Sequence, residues 1–161
     1  MKFYWIERTE YGYISAIEED GILIRVFLPQ KRKIRFHKGD FEKKRTPLLK
    51  DFLKAMKHYF NHGKFCDFSI YPVRFPDSPF RSKVYSFLRD NVKWGMVLTY
   101  KELGRKIGFP SAARAVGNAL SLNETPLVIP CHRVISKNGL GGFSGGLKLK
   151  KIMLSIEGVK I

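Results

Sequence analysis

Thr99-Tyr100-Lys101-Glu102-Leu103-Gly104-Arg105-Lys106-Ile107-Gly108-Phe109-Pro110-Ser111-Ala112-Ala113-Arg114-Ala115-Val116-Gly117-Asn118-Ala119-Leu120 reads as two short helices about a turn. Thr99 and Glu102 form a capping box, in which hydroxyl and carboxylate each satisfy an orphan backbone N–H, and it predicts a helix to about Ile107. Gly108-Phe109-Pro110 breaks the chain, and Ser111 stands where it would cap a second helix over residues 112–120. This is the helix-turn-helix outline. The second helix is nearly bare of bulk, with Ala112, Ala113, Ala115, Gly117 and Ala119, and Arg114 is its one long cation. Small residues let a helix backbone come close to a neighbouring helix or to a nucleic-acid groove. Major-groove readers carry several Asn, Gln and Arg side chains. Their scarcity argues against a sequence-specific repressor and favours shape-based, minor-groove binding.

Working outward, Pro79–Asn91 is expected to be a helix with Val84, Phe87 and Leu88 inward, and Leu147–Ile156 a last amphipathic helix stopped by Gly158. Upstream, Pro72, Pro76 and Pro79 with Asp77 and Ser78 mark a linker. The chain is therefore expected to be α/β in two small domains, residues 1–77 a sheet plus helix and residues 78–161 mostly helical. In the first, residues 2–7, 13–17 and 22–28 have strand composition, 33–36 is a candidate fourth strand, and 65–70 is expected to return to the sheet. Thr46-Pro47 should open a helix running to His62-Gly63. Lys31-Arg32-Lys33 and Lys43-Lys44-Arg45 read as basic loops or edges that discourage aggregation.

The 161 residues carry 30 Lys+Arg against 14 Asp+Glu, a formal charge of +16, with 44% hydrophobic residues. That length and apolar content support a packed core and exclude collagen-like and disordered classes. No apolar run reaches the roughly 20 residues of a membrane helix. Met1-Lys2-Phe3-Tyr4-Trp5, followed by Glu7, Arg8 and Glu10, has no signal-peptide core, so a cytoplasmic protein without a membrane partner is expected. Residues 1–77 hold 16 basic and 10 acidic side chains, and residues 78–161 hold 14 and 4. An acid-poor surface of this kind attracts phosphates.

Ile129-Pro130-Cys131-His132-Arg133-Val134 carries the chemistry. A thiol with an unperturbed pKa of about 8.5 needs a base or a positive field to become a thiolate, and His132 and Arg133 adjoin Cys131. In an extended strand, however, consecutive side chains face opposite ways. Cys66 lacks such neighbours and is assigned to core filling. Two isolated cysteines with scattered His37, His58 and His62 give no zinc pattern, so no metal is expected.

The second half resembles the O6-alkylguanine-DNA alkyltransferases (methylated-DNA–protein-cysteine methyltransferases). Their Pro-Cys-His-Arg-Val signature stands at residues 130–134. Thr99-Tyr100, Arg114-Ala115-Val116-Gly117-Asn118-Ala119, Asn123 eight residues before Cys131, Phe143-Ser144-Gly145-Gly146-Leu147 and Ile156-Glu157-Gly158 agree in order and spacing. The resemblance implies a ribonuclease-H-like first domain, a winged-helix-like second domain and a monomer acting on double-stranded DNA that contains O6-alkylguanine, without a cofactor.

It also implies roles. Cys131 is similar to the family's alkyl acceptor, His132 to the base acting through a water, and Glu157 to the carboxylate orienting that base. Asn123 resembles the residue tying turn and water network together, and Tyr100 the hydroxyl that meets the flipped nucleotide. Arg114 is similar to the arginine finger, with Ala115, Gly117, Asn118 and Ser111 on the DNA-binding helix. Cys131, Val134, Ser144 and Phe143 would line the guanine pocket. The resemblance extends to alkyl groups on O4 of thymine and to a single use of each molecule. Phe143 departs from the tyrosine of many members, and residues 136–142 are one shorter than in some relatives. A non-enzymatic alkyltransferase-like lesion binder is the alternative, opposed by the presence of Cys131. An incidental cysteine in a transcription factor and a cysteine hydrolase are disfavoured by the bare helix and by the lack of an oxyanion site.

Overall fold

The computed structural model of the chain describes residues 1–37 and 39–161. These fall into two compact units, Met1–Arg74 and Phe75–Ile161. Both contain strands and helices; among the described residues the larger sheet is in the first unit and four of the five α-helices are in the second.

In the first unit β1 (Lys2–Thr9), β2 (Gly12–Glu19) and β3 (Ile22–Gln30) form an antiparallel meander, joined between β2 and β3 by a tight turn at Asp20-Gly21. β4 (Glu42–Lys43) adds in parallel beside β1, giving the order β3-β2-β1-β4. Helix α1 (Pro47–His62) begins where Thr46 Oγ1 accepts from Leu49 N at 3.2 Å and Pro47 takes the first turn. Leu49, Phe52, Leu53, Met56, Tyr59 and Phe60 are all buried along one stripe of it. Thr46 also donates to the buried carboxylate of Glu18 at 2.7 Å, pinning the helix start to β2.

Two expected strands are absent. Residues 33–36 do not pair: the Phe36 ring packs on Tyr4 at 4.0 Å, so this stretch gains more from ring contact than from a ladder. Residues 65–70 form no strand either. Asp67 accepts from Ser69 N at 3.1 Å and from its hydroxyl at 2.6 Å, holding a 3-10 turn at Phe68–Ile70. Such a side chain offers the backbone an alternative to pairing. The return to the sheet comes later, where Leu23 N donates to Pro72 O and Arg74 N to Leu23 O. Cys66 is half-buried rather than in the core, and burial followed by the charge of Asp67 pushes its thiol up.

In the second unit α2 (Pro79–Asn91) starts at Ser78, whose hydroxyl accepts from Arg81 N. Strands β5 (Leu98–Thr99) and β6 (Val134–Ile135) pair in parallel. Helices α3 (Tyr100–Lys106) and α4 (Ala113–Ser121) follow the capping box and the turn, and α5 (Leu147–Ile156) closes the chain. Ser111 does not cap α4. The helix begins one residue later than expected, with Ala112 at the N-cap and no side-chain hydrogen bond to the first turn, which puts Ser111 one position outside it. Val84, Leu88, Leu103, Val116, Leu149, Met153 and Leu154 are buried here. Among the described residues no helix is long and apolar enough to cross a membrane.

Candidate active site

Three local devices place the reactive segment. Parallel pairing of Leu98 with Val134 and Thr99 with Ile135 brings Tyr100, the first residue of α3, beside the chain that carries Cys131. Asn123 donates from Nδ2 to Ile129 O at 2.9 Å and accepts from Thr125 N at 3.0 Å, folding the preceding loop onto itself. Leu127 in that loop has φ 74°, which a bulky side chain adopts only when its surroundings impose it. Finally, Cys131–Arg133 is a 3-10 turn, not extended chain, so Cys131 and His132 need not diverge as strand neighbours do.

Cys131 is 6% exposed and faces a cavity of about 400 Å³ lined with Tyr100, Gly117, Leu120, Ser121, Gly142, Phe143 and Ser144. Tyr100 Oη accepts from Gly142 N at 3.2 Å. A Cβ at Gly141 would lie 2.6 Å from that hydroxyl, and its φ is +73°, so only glycine permits this approach. Of the residues expected from sequence, Tyr100, Cys131, Phe143 and Ser144 meet in the cavity wall. Gly117, expected on the DNA-binding surface, is there too. Val134 is fully buried and takes part through its carbonyl. Arg114, Ala115, Asn118 and Ser111 are on or just before α4, outside the wall, and all four are exposed.

Behind Cys131 lies a buried ion network. His132 is 0% exposed, and its Nε2 lies 2.5 Å from Glu157 Oε2. Glu157 Oε1 accepts from Arg133 Nε at 2.6 Å, and Arg133 Nη1 donates to Val92 O at 2.7 Å. Burial by itself would raise the Glu157 pKa, but the hydrogen bonds from His132 and Arg133 and the charge of Arg133 outweigh it and hold the carboxyl at about 2. An ionised carboxylate can only accept, so Nε2 of His132 carries the proton and Nδ1 keeps its lone pair. Nδ1 is buried and makes no hydrogen bond to any described residue. Burial pushes the His132 pKa down despite Glu157, and the ring is neutral near pH 7.

The thiol itself is pushed up by burial. The Asn123 side chain, the charge of Lys150 and the backbone N–H groups of Cys131 and His132 work against that rise. Sequence reading missed Lys150. It is fully buried, donates to Val134 O at 2.6 Å and Gly142 O at 3.0 Å, and has its pKa lowered by burial to about 8. Helical spacing could have found it, because residue 150 shares a stripe with Met153, Leu154 and Glu157. The site thus holds a shielded thiol, a neutral base with a free lone pair and a cation beside the thiol, which is the equipment of an activated nucleophile.

Residues 79–159 match the model for the 6-O-methylguanine DNA methyltransferase, DNA binding domain, which is half of the chain. The chain belongs to this family. It is 48% identical over 105 residues to a methylated-DNA–protein-cysteine methyltransferase of Metallosphaera sedula, a stretch that covers 65% of each protein. The chain spans less than two thirds of the length of the curated relatives it matches. Among solved structures it is similar to Mycobacterium tuberculosis OGT in complex with DNA, with TM-score 0.81 and 25% identity, covering 96% of this chain and 92% of that one. It is also similar to the O6-methylguanine-DNA methyltransferase of Pyrococcus kodakaraensis, with TM-score 0.74 and 28% identity, covering 99% and 100%. In this alkyltransferase-family chain, His132, directly after Cys131, thus forms a buried pair with Glu157.

Proposed function

We propose that the protein reverses DNA damage directly, moving a methyl or other alkyl group from O6 of guanine in duplex DNA to Cys131. The observation that carries this reading is the neutral, buried His132, with Nε2 committed to Glu157 and Nδ1 unengaged, next to a cysteine at the wall of a cavity. His132 Nδ1 takes the thiol proton through a water. The thiolate attacks the alkyl carbon, the bond from that carbon to O6 breaks, and its electron pair leaves with guanine. Tyr100 donates to the departing base, and Asn123 keeps the loop before Cys131 in register. The product is a thioether, which these residues have no means to cleave, so each molecule acts once.

A base inside a duplex is out of reach of Cys131, and extruding it costs a few kcal/mol. Arg114, exposed on α4, is proposed to fill the gap, because a planar guanidinium stacks where an ammonium does not. Ala115, Asn118 and Ser111 let the backbone approach the groove, while Val134, Ser144 and Phe143 frame the extruded base. O4-alkylthymine fits the same displacement. The first unit is read as a ribonuclease-H-like support and the second as a winged-helix-like carrier of the site, in a monomer. A lesion-binding role without transfer is disfavoured by the base and carboxylate assembled behind Cys131. With methylated duplex in fivefold excess, the methyl label should transfer to one equivalent of protein and stop; continued turnover would overturn this reading.

A further inference from the structure

The sheet of the first unit has two unlike faces. Strand register puts Phe3, Trp5, Glu7, Ala16 and Val26 on one of them, and α1 covers it, as the Lys57–Glu7 ion pair at 3.6 Å shows. Tyr4, Ile17, Arg25 and Phe27 are on the other. The chain between β3 and β4 crosses this second face, where the Phe36 ring sits 4.0 Å from Tyr4, 5.8 Å from Phe27 and 5.5 Å from Phe41. The aromatic knot fixes a strap on which Lys31, Arg32, Lys33 and Arg35 are all exposed. None of the four forms an ion pair with any described residue. Arg25, also exposed, is on the same face of the sheet, over the Phe27 ring at 5.0 Å.

Like charges anchored this closely repel one another and gain nothing from their own unit. The Phe36 contacts hold the stretch of chain that carries them against the sheet, so a polyanion meeting them has less backbone to order. Duplex DNA, with a phosphate charge about every 1.7 Å of axis, has the complementary density. The rings are packed against each other, which leaves backbone contact rather than base stacking. We propose that the strap is a second, sequence-independent DNA-phosphate contact, carried by the unit that lacks the nucleophile. The proposal rests on the reading of DNA as the substrate.

Anisotropy titrations of unmodified duplex over a series of KCl concentrations test it, using the full chain. Arg32→Ser/Lys33→Ser/Arg35→Ser is compared with Lys50→Ser/Lys54→Ser/Lys64→Ser, which removes as many exposed cations from α1 and the turn after it. The strap variant should flatten the slope of log K against log salt by about 0.9 for each phosphate no longer neutralised, up to about 3. The α1 variant should keep the wild-type slope. Both should take methyl from the free modified base at the wild-type rate, which also shows that they fold. Equal flattening in both variants, the mark of net charge alone, or no flattening in either, would overturn the proposal. Failure of the wild type to accept methyl would sink the alkyl-transfer reading and leave the slope comparison to decide the strap.

Discussion

Glu157 serves two partners at once, and at the residue scale this makes it the most sensitive point of the site. Glu157→Gln keeps the shape but leaves the Arg133 guanidinium, 8% exposed, without its counter-charge. Breaking a buried pair in this way costs about 3–5 kcal/mol. The urea midpoint should fall accordingly, and an unchanged midpoint would mean that the pair is not what holds α5 to the Cys131–Arg133 turn. The wild type should show a matching acid sensitivity. The folded Glu157 pKa of about 2 lies below its ordinary 4.5, so its contribution is complete above pH 4.5 and is lost as pH falls towards 2. That contribution is on the order of 3 kcal/mol. His132 acts in the same direction: the unfolded chain takes up a proton near pH 6.5 that the buried ring resists, so stability declines below that pH. Denaturation midpoints measured between pH 7 and 3 should fall steadily. Arg114 has a different signature. Arg114→Ala should slow transfer from methylated duplex by at least tenfold and leave transfer from the free modified base unchanged, whereas an equal loss on both would rule out its stacking role.

At the scale of elements, α3 and the turn leading to α4 meet through a backbone contact that side-chain reasoning does not reveal. A Cβ at Gly104 would lie 2.8 Å from Phe109 O, so Gly104 admits the turn onto its helix. Ala normally stabilises a helix interior by about 1 kcal/mol relative to Gly. Here Gly104→Ala should instead lower the melting temperature and weaken duplex binding, and a rise in melting temperature would contradict the close approach. The helices themselves were legible because each announces its ends: Thr46-Pro47, Ser78-Pro79 and Thr99 with Glu102 all cap as their chemistry requires. Residues 33–36 and 65–70 were not legible as they fold. Strand composition there competes with a ring seat for Phe36 and a side-chain cap by Asp67, and neither contact follows from local pattern. Ser111 was misread by one residue, because helix ends fray and a serine beside the true N-cap carries the same signal.

For the whole molecule, the +16 charge resolves into parts with different jobs. Lys150 and Arg133 are buried and serve the site, whereas Arg114 and the strap cations are exposed. The family resemblance singled out Cys131, His132 and Glu157, and the structure puts Cys131 at a cavity wall and His132 in contact with Glu157. Lys150 stayed hidden because a lysine among lysines on an amphipathic helix looks solvated until the packing is known. On the proposed reading, the buried network readies Cys131. Intact-mass measurement after incubation with duplex carrying O6-methylguanine tests that claim most directly. The mass should rise by the difference between a methyl group and a hydrogen, the added group should map to Cys131, and Cys131→Ala should stay unmodified. An unchanged protein mass alongside repaired DNA would contradict it.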